Sequence, residues 1–231
     1  MNGNSARYVG WDQRACERRP TMSKALGDVI IRPATVCVQL RSRSMSTIAR
    51  LTLDEYDRMI ERGVFERDRR IELIYGELRE MSPIGDPHRD AVNVLTNDWF
   101  AAQSTADFRA KVTVQIQSPI RLPEQASSPK PDMSWIAKPV ADTDSRGADQ
   151  VFLVIEVADT SLDDDRGVKA QLYAEAEISD YWIVHLVDGC VEVHRSPQGG
   201  HYQSLTTHDR GEEIRPLLFP DYPLDLGLLF G

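Results

Sequence analysis

The sequence predicts an α/β domain over residues 45–231, and three observations lead to that expectation. Val151–Val157 is apolar on both faces except for Glu156, the pattern of a central strand covered on each side. Asp165–Glu177 repeats its apolar residues at helical spacing. Tyr181–Leu186 then returns to the composition of a buried strand.

The remaining elements follow in chain order. Residues 1–44 mix Arg, Ser, Pro and Gly with scattered apolar residues and sustain no period of either kind. They are expected to be a disordered basic extension, or to lie upstream of a translation start at Met45. Order begins at Thr52–Glu55, a capping box that starts a helix through Tyr56, Met59 and Ile60 and ends it at Gly63. Ile71–Glu80 is expected as a strand interrupted at Tyr75–Glu77. After the turn at Pro83–Pro87, Val92, Leu95, Trp99 and Phe100 recur at helical spacing, so a helix starts near His88. Val112–Leu122 and Pro131–Ala137 read as strands that pair as a hairpin around the polar loop Pro123–Lys130. Beyond the central strand and its helix, Tyr181–Leu186 and Val191–Arg195 join through the turn Val187–Cys190. Leu217–Phe230 is expected to pack as an irregular apolar cover.

Composition narrows the class of protein. At 231 residues with 41% apolar content, the chain can bury one substantial core. Cys16, Cys37 and Cys190 are odd in number and form no Cys-x-x-Cys pair, which argues against zinc and a disulfide framework and for the cytoplasm. No stretch approaches the roughly 18 consecutive apolar residues of a membrane span. Charge is uneven: residues 1–50 hold nine Arg or Lys against three acids, which leaves 18 basic and 33 acidic residues in 51–231. That balance opposes a grip on nucleic-acid phosphates. Arg109, Lys111, Arg121, Lys130 and Lys138 around the expected hairpin are the candidates for a local basic rim.

Glu156 carries the most chemical information. A lone carboxylate inside an apolar strand costs several kcal/mol, on the order expected for any unpaired buried ion, so either a cation faces it or the strand ends there in water. Asp165, Lys169, Leu172, Tyr173 and Ala176 share one helical stripe, which would bring Lys169 inward. The alternative is an exposed Asp165–Lys169 pair at i,i+4. Asp132 opens a strand after Pro131, either as an ordinary turn acid or as a second carboxylate converging with Glu156. A hard cation such as Mg²⁺ binds carboxylate oxygens and retains waters, so Asp132, Glu156 and a backbone carbonyl could hold one, with Lys169 orienting water or offsetting charge.

Pro131-Asp132 followed by Glu156-Val157-Ala158 resembles the PD-(D/E)xK nuclease superfamily, with Ala158 at the usual lysine position and Lys169 in a place to substitute for it. More specifically, the chain resembles a bacterial family of restriction-type endonucleases long catalogued as a domain of unknown function. The segments that carry the likeness run from Glu72–Leu78 through Met81–Gly85 with His88, Gln117–Leu122 and Pro129–Asp132 to Glu156–Leu162, Asp165–Lys169 and Tyr173. The resemblance implies a restriction-endonuclease-like mixed sheet flanked by helices, Mg²⁺ or Mn²⁺ on Asp132 and Glu156, supporting roles for Glu72 and His88, DNA as substrate and a homodimer. The alternative is a non-catalytic regulatory or interaction protein on the same scaffold. The chain departs from the family it resembles at Glu177, where members usually have a helix-ending glycine, and at His185, where they often have Asp. Tyr173 and Trp182 are expected in the core, and His185 in a structural role.

Overall fold

Helix α1 (Leu53–Glu61) forms because both halves of the capping box are made. Thr52 Oγ1 accepts the Glu55 N–H at 3.2 Å and Glu55 Oε2 accepts the Thr52 N–H at 2.9 Å, satisfying two N-terminal donors. This computed structural model describes residues 48–66, 69–138 and 147–231, so the proposed extension over residues 1–44 lies outside the described residues.

The expected single strand over Ile71–Glu80 is instead a hairpin of β1 (Ile71–Ile74) and β2 (Glu77–Glu80). Tyr75 and Gly76 turn it with φ of 50° and 75°, the doubly left-handed loop whose twist suits an antiparallel pair. Gly76 has a second constraint, because a Cβ there would stand 2.7 Å from Arg50 Cβ and 2.8 Å from Leu51 O. The hairpin register sets Glu72 opposite Arg79.

Helix α2 (Asp86–Asn93) starts just before His88, with Pro87 in its first turn, and runs on as a π-helical stretch, Val94–Ala101. Its Trp99 stacks on Trp135 at 4.8 Å and Trp182 at 5.7 Å between ring centres. A short helix, α3 (Ala106–Lys111), precedes the main sheet.

That sheet has six strands in sequential order, β3 (Val112–Ile116), β4 (Met133–Ala137), β5 (Val151–Ala158), β6 (Asp180–His185), β7 (Cys190–Gln198) and β8 (His201–Asp209). Only β5 and β6 run parallel, so the sheet is mixed and flanked by helices, as expected. The β3–β4 hairpin forms, but β3 stops at Ile116 because Gln117 turns left-handed at φ 47°. Strand β8 was not expected: it is mostly exposed and polar and gives no apolar alternation. The C-terminal cover is partly regular, with β9 (Glu213–Ile214) paired to β10 (Leu224–Asp225) before α6 (Gly227–Phe230).

Period two along β5 divides the core. Leu153, Ile155 and Val157 join Trp99, Trp135 and Trp182 on one face. Val154 and Ala158 face the other way, under Leu172 and Tyr173 of helix α5 (Ala170–Glu175), and Glu156 lies between them on that face. Among the described residues, no helix is long and apolar enough to cross a membrane.

Candidate active site

The β4–β5 ladder brings the two expected acids together. Met133 pairs with Ile155, so the next step along the antiparallel ladder aligns Asp132 with Glu156 on one face. Asp132 Oδ2 accepts the Val157 N–H at 2.9 Å, which locks the carboxylate against the neighbouring strand. His88 Nε2 lies 3.0 Å from the same oxygen, and Gln117 Nε2 donates to Oδ1 at 3.3 Å.

The crossover between β5 and β6 supplies the cation. A short turn, α4 (Leu162–Asp164), leads into a π-helical segment, Asp165–Lys169, and then α5. Lys169 Nζ stands 3.0 Å from Glu156 Oε1 and 3.2 Å from Asp165 Oδ1, and all three residues are buried. The expected inward stripe is therefore present, and the i,i+4 pair with Asp165 exists as a buried contact rather than an exposed one. Tyr173 adds what the sequence did not suggest: it is a core aromatic whose hydroxyl donates to Glu156 Oε1 at 2.9 Å. Its spacing of four from Lys169 was the available signal, since both fall on one stripe.

Glu72 reaches the same pocket from the hairpin. It is buried, and its Oε2 accepts the Lys130 N–H at 3.1 Å. The pocket, of about 150 Å³, is lined by Glu72, His88, Asp132, Glu156, Asp165 and Lys169 among others, so every expected site residue borders one space. Trp182 is buried in the core, and His185 is buried on β6 with its Nδ1 3.0 Å from Asp188 Oδ2.

Electrostatics follow from four carboxylates around one ammonium. Burial pushes Glu156 well above the usual carboxylate range, and Lys169 offsets that only in part while Asp165, Asp132 and Glu72 add to it. Burial would raise Asp132 too, but His88, the Val157 N–H and Lys169 outweigh it and hold that carboxyl below its ordinary value. Burial disfavours the Lys169 ammonium, yet Glu156, Asp165 and Glu72 prevail and raise its pKa, so it stays charged. Asp165 Oδ1 remains buried with no hydrogen-bond donor among the described residues despite its ion contact.

This surplus of acceptor-only oxygens suits a hard divalent cation. Among the described residues, no three His, Cys, Asp or Glu side chains converge as a complete protein cage would. Asp132 and Glu156, which both border the pocket, are the residues that would hold such an ion.

The expected basic rim is not at the site. Arg121 pairs with Asp57 at 2.7 Å and Lys111 with Asp107 at 2.7 Å, while Lys130 Nζ donates to Ile71 O and Lys138 Nζ to Arg109 O. Lys111, Arg109 and Lys138 also lie at the far end of β4 from Asp132, about 17 Å away at roughly 3.4 Å per residue. The arginines that do border the pocket are Arg70 and Arg79. Reading Ile71–Glu80 as a hairpin, with Gly76 in its turn, was the signal that would have found them.

Comparison with known proteins agrees with this architecture. The sequence model of the Uma2 family, described as "Putative restriction endonuclease", matches residues 53–227. A solved structure, described as "a putative nuclease belonging to DUF820 from Anabaena variabilis", is similar with a TM-score of 0.59 and 14% identity over 78% of this chain and 97% of that one. At that identity the likeness establishes the fold. Among curated proteins, none matches.

Proposed function

The chain belongs to the Uma2 family, described as "Putative restriction endonuclease", and from that premise we propose that it is a metal-dependent endonuclease that hydrolyses DNA phosphodiester bonds. What supports this is the meeting of Asp132, Glu156 and Lys169 at one end of two adjacent strands. A divalent cation, Mg²⁺ or Mn²⁺, held by Asp132 and Glu156 would polarise a phosphoryl oxygen and acidify a water.

The chain's own residues divide the remaining work. His88 and the Val157 N–H hold Asp132 in place, and Lys169 and Tyr173 hold Glu156. Lys169 would offset the negative charge that develops on the phosphoryl oxygens in the pentacoordinate transition state, or orient the attacking water. Glu72 closes the wall and adds to the field that attracts the cation. The family resemblance adds a homodimer, with one such site for each strand of a duplex, acting on DNA in the cytoplasm.

The test is cleavage of supercoiled plasmid and of single-stranded DNA with Mg²⁺ or Mn²⁺, beside EDTA, Asp132→Ala and Lys169→Ala. Metal-dependent cutting that falls at least about 10²-fold in each variant is expected. His88→Ala, which only positions a ligand, should lose about 10–100-fold. A folded wild-type protein that cuts neither substrate with either ion would sink the proposal.

A further inference from the structure

We propose that the pocket-facing side of the β1–β2 hairpin is a phosphate-binding subsite, in which Arg79, with Arg70 beside it, grips a backbone phosphate of a bound nucleic-acid strand. Naming a nucleic acid rests on the nuclease reading of the adjacent acids; the anion-binding role rests on the hairpin itself.

Strand pairing determines which side chains share a face. Glu72 stands opposite Arg79, and the Met81 N–H donates to Arg70 O at 2.8 Å, continuing the ladder by one residue on each strand. Arg70, Glu72, Arg79 and Met81 therefore lie on one face, and all four line the pocket. Leu73 points away, into a separate cluster with Leu53 and Tyr56. Arg70 and Arg79 are diagonal neighbours, about 7–8 Å apart at the backbone, so both guanidinium groups can reach one phosphate.

Arg79 is loosely held in a pocket rich in carboxylates. Its nearest ion contact among the described residues is Asp164 Oδ1 at 3.5 Å, beyond the roughly 2.7–2.9 Å of a charge-assisted hydrogen bond. Asp164 is itself 69% exposed at the side chain. Arg79 Nε is buried and has no hydrogen-bond partner among the described residues. Arg70 gives one donor to Ser82 O at 3.2 Å. Buried donors left unmade cost free energy that an incoming acceptor recovers, and the guanidinium fork matches phosphate oxygens in two-point contact.

The acids argue for a polymer rather than a free anion. An isolated phosphate entering beside Glu72, Glu156 and Asp165 would meet their repulsion, whereas a strand can rest one phosphate on the arginines while its neighbour meets a cation at Asp132 and Glu156. The domain's acidic balance is then no obstacle, because the cations that matter stand on the pocket wall.

Binding separates this subsite from catalysis. A fluorescein-labelled 20-base-pair duplex is titrated by anisotropy in Ca²⁺ and in EDTA over a series of salt concentrations, with plasmid cleavage in Mg²⁺ run alongside. Arg79→Ala should weaken binding about tenfold or more and lower the salt slope by about one. Arg79→Lys should recover only part of the affinity, since an ammonium cannot make the two-point contact. Lys111→Ala, a distant paired cation, should change neither quantity, and thermal melts establish that each variant is folded. If folded Arg79→Ala and Arg79→Lys bind with wild-type affinity and slope, or the wild type binds no duplex at all, the subsite is overturned. Arg79-dependent binding without cleavage would keep the subsite and sink the nuclease reading; cleavage with Arg79-independent binding would do the reverse.

Discussion

Two buried acid clusters sit at opposite ends of the parallel β5–β6 pair, and they are built differently. At the start of β6, Asp180 is fully buried and surrounded by donors: Arg195 Nε at 2.8 Å, Trp182 Nε1 at 2.8 Å and the Leu217 N–H at 2.7 Å. At the other end, beyond Glu156, several carboxylates share Lys169, and Asp165 Oδ1 lacks a hydrogen-bond donor among the described residues. One cluster is an acid matched by its surroundings, although burial still pushes the Asp180 carboxyl above its usual range. The other holds more negative charge than the described residues around it neutralise. A scaffold gains nothing from that surplus, whereas it would attract a cation. The unbalanced cluster also lies at the carboxyl end of the parallel strands, where open α/β sheets commonly place ligands.

Removing one acid from each end should break the comparison if it is wrong. Glu156→Gln should lower metal-dependent cleavage at least about 10²-fold. Its stability without metal should stay within about 1 kcal/mol of the wild type, because the amide oxygen can still accept from Tyr173 and Lys169 while one repelling charge is gone. Asp180→Ala should do the opposite, destabilising by about 3 kcal/mol, at the low end for a broken buried pair since Arg195 is partly exposed. Chemical denaturation and plasmid cleavage on both variants check this. A Glu156→Gln protein that unfolds as readily as Asp180→Ala would make Glu156 a structural acid.

The two ends were not equally legible in the sequence. The site end showed itself through conflict, because Glu156 breaks an apolar strand and Lys169 falls on an apolar stripe. Each is a local contradiction that only a tertiary partner resolves. Asp180 carried no such signal, since it precedes Tyr181 where a turn acid is ordinary, and its partners Arg195 and Leu217 are remote in sequence. The same reason hid β8, whose order comes from pairing with β7 rather than from an apolar face. The hairpin arginines were hidden because Ile71–Glu80 read as one interrupted strand, which leaves Glu72 and Arg79 without a common face.

A smaller effect sharpens the contrast at the scaffold end. Helix α5 closes in a Schellman pattern, with the Ile178 N–H donating to Tyr173 O and the Glu177 N–H to Ala174 O. The left-handed position belongs to Glu177, at φ 59°, where the family resemblance expects glycine and where any Cβ is disfavoured. Glu177→Gly should stabilise by about 1 kcal/mol, raising the melting temperature by about 2–4 °C. Cleavage should be unchanged, because this strain faces the Asp180 end. Lost activity in the stabilised variant would tie the two ends together.

The smallest effect concerns a titratable group buried without surplus charge. His194 on β7 packs against the rings of Tyr181 and Tyr202, with Glu192 at 3.4 Å and Arg166 paired to that glutamate. Burial pushes its pKa below the ordinary histidine value; Glu192 opposes that shift and Arg166 adds to it. The folded protein therefore resists a proton that the unfolded chain accepts near pH 6.5 or about there. Its contribution is fully present above that value and is lost as pH falls below it toward the folded pKa, because the unfolded state then binds more protons. His194→Gln, which cannot titrate, should flatten the fall in stability as pH drops below about 6.5, relative to the wild type. Urea unfolding at stepped pH measures the difference of slopes. An equal slope in both proteins would mean that His194 charges freely in place, and that Glu192 holds it as an ion pair rather than as a neutral part of the core.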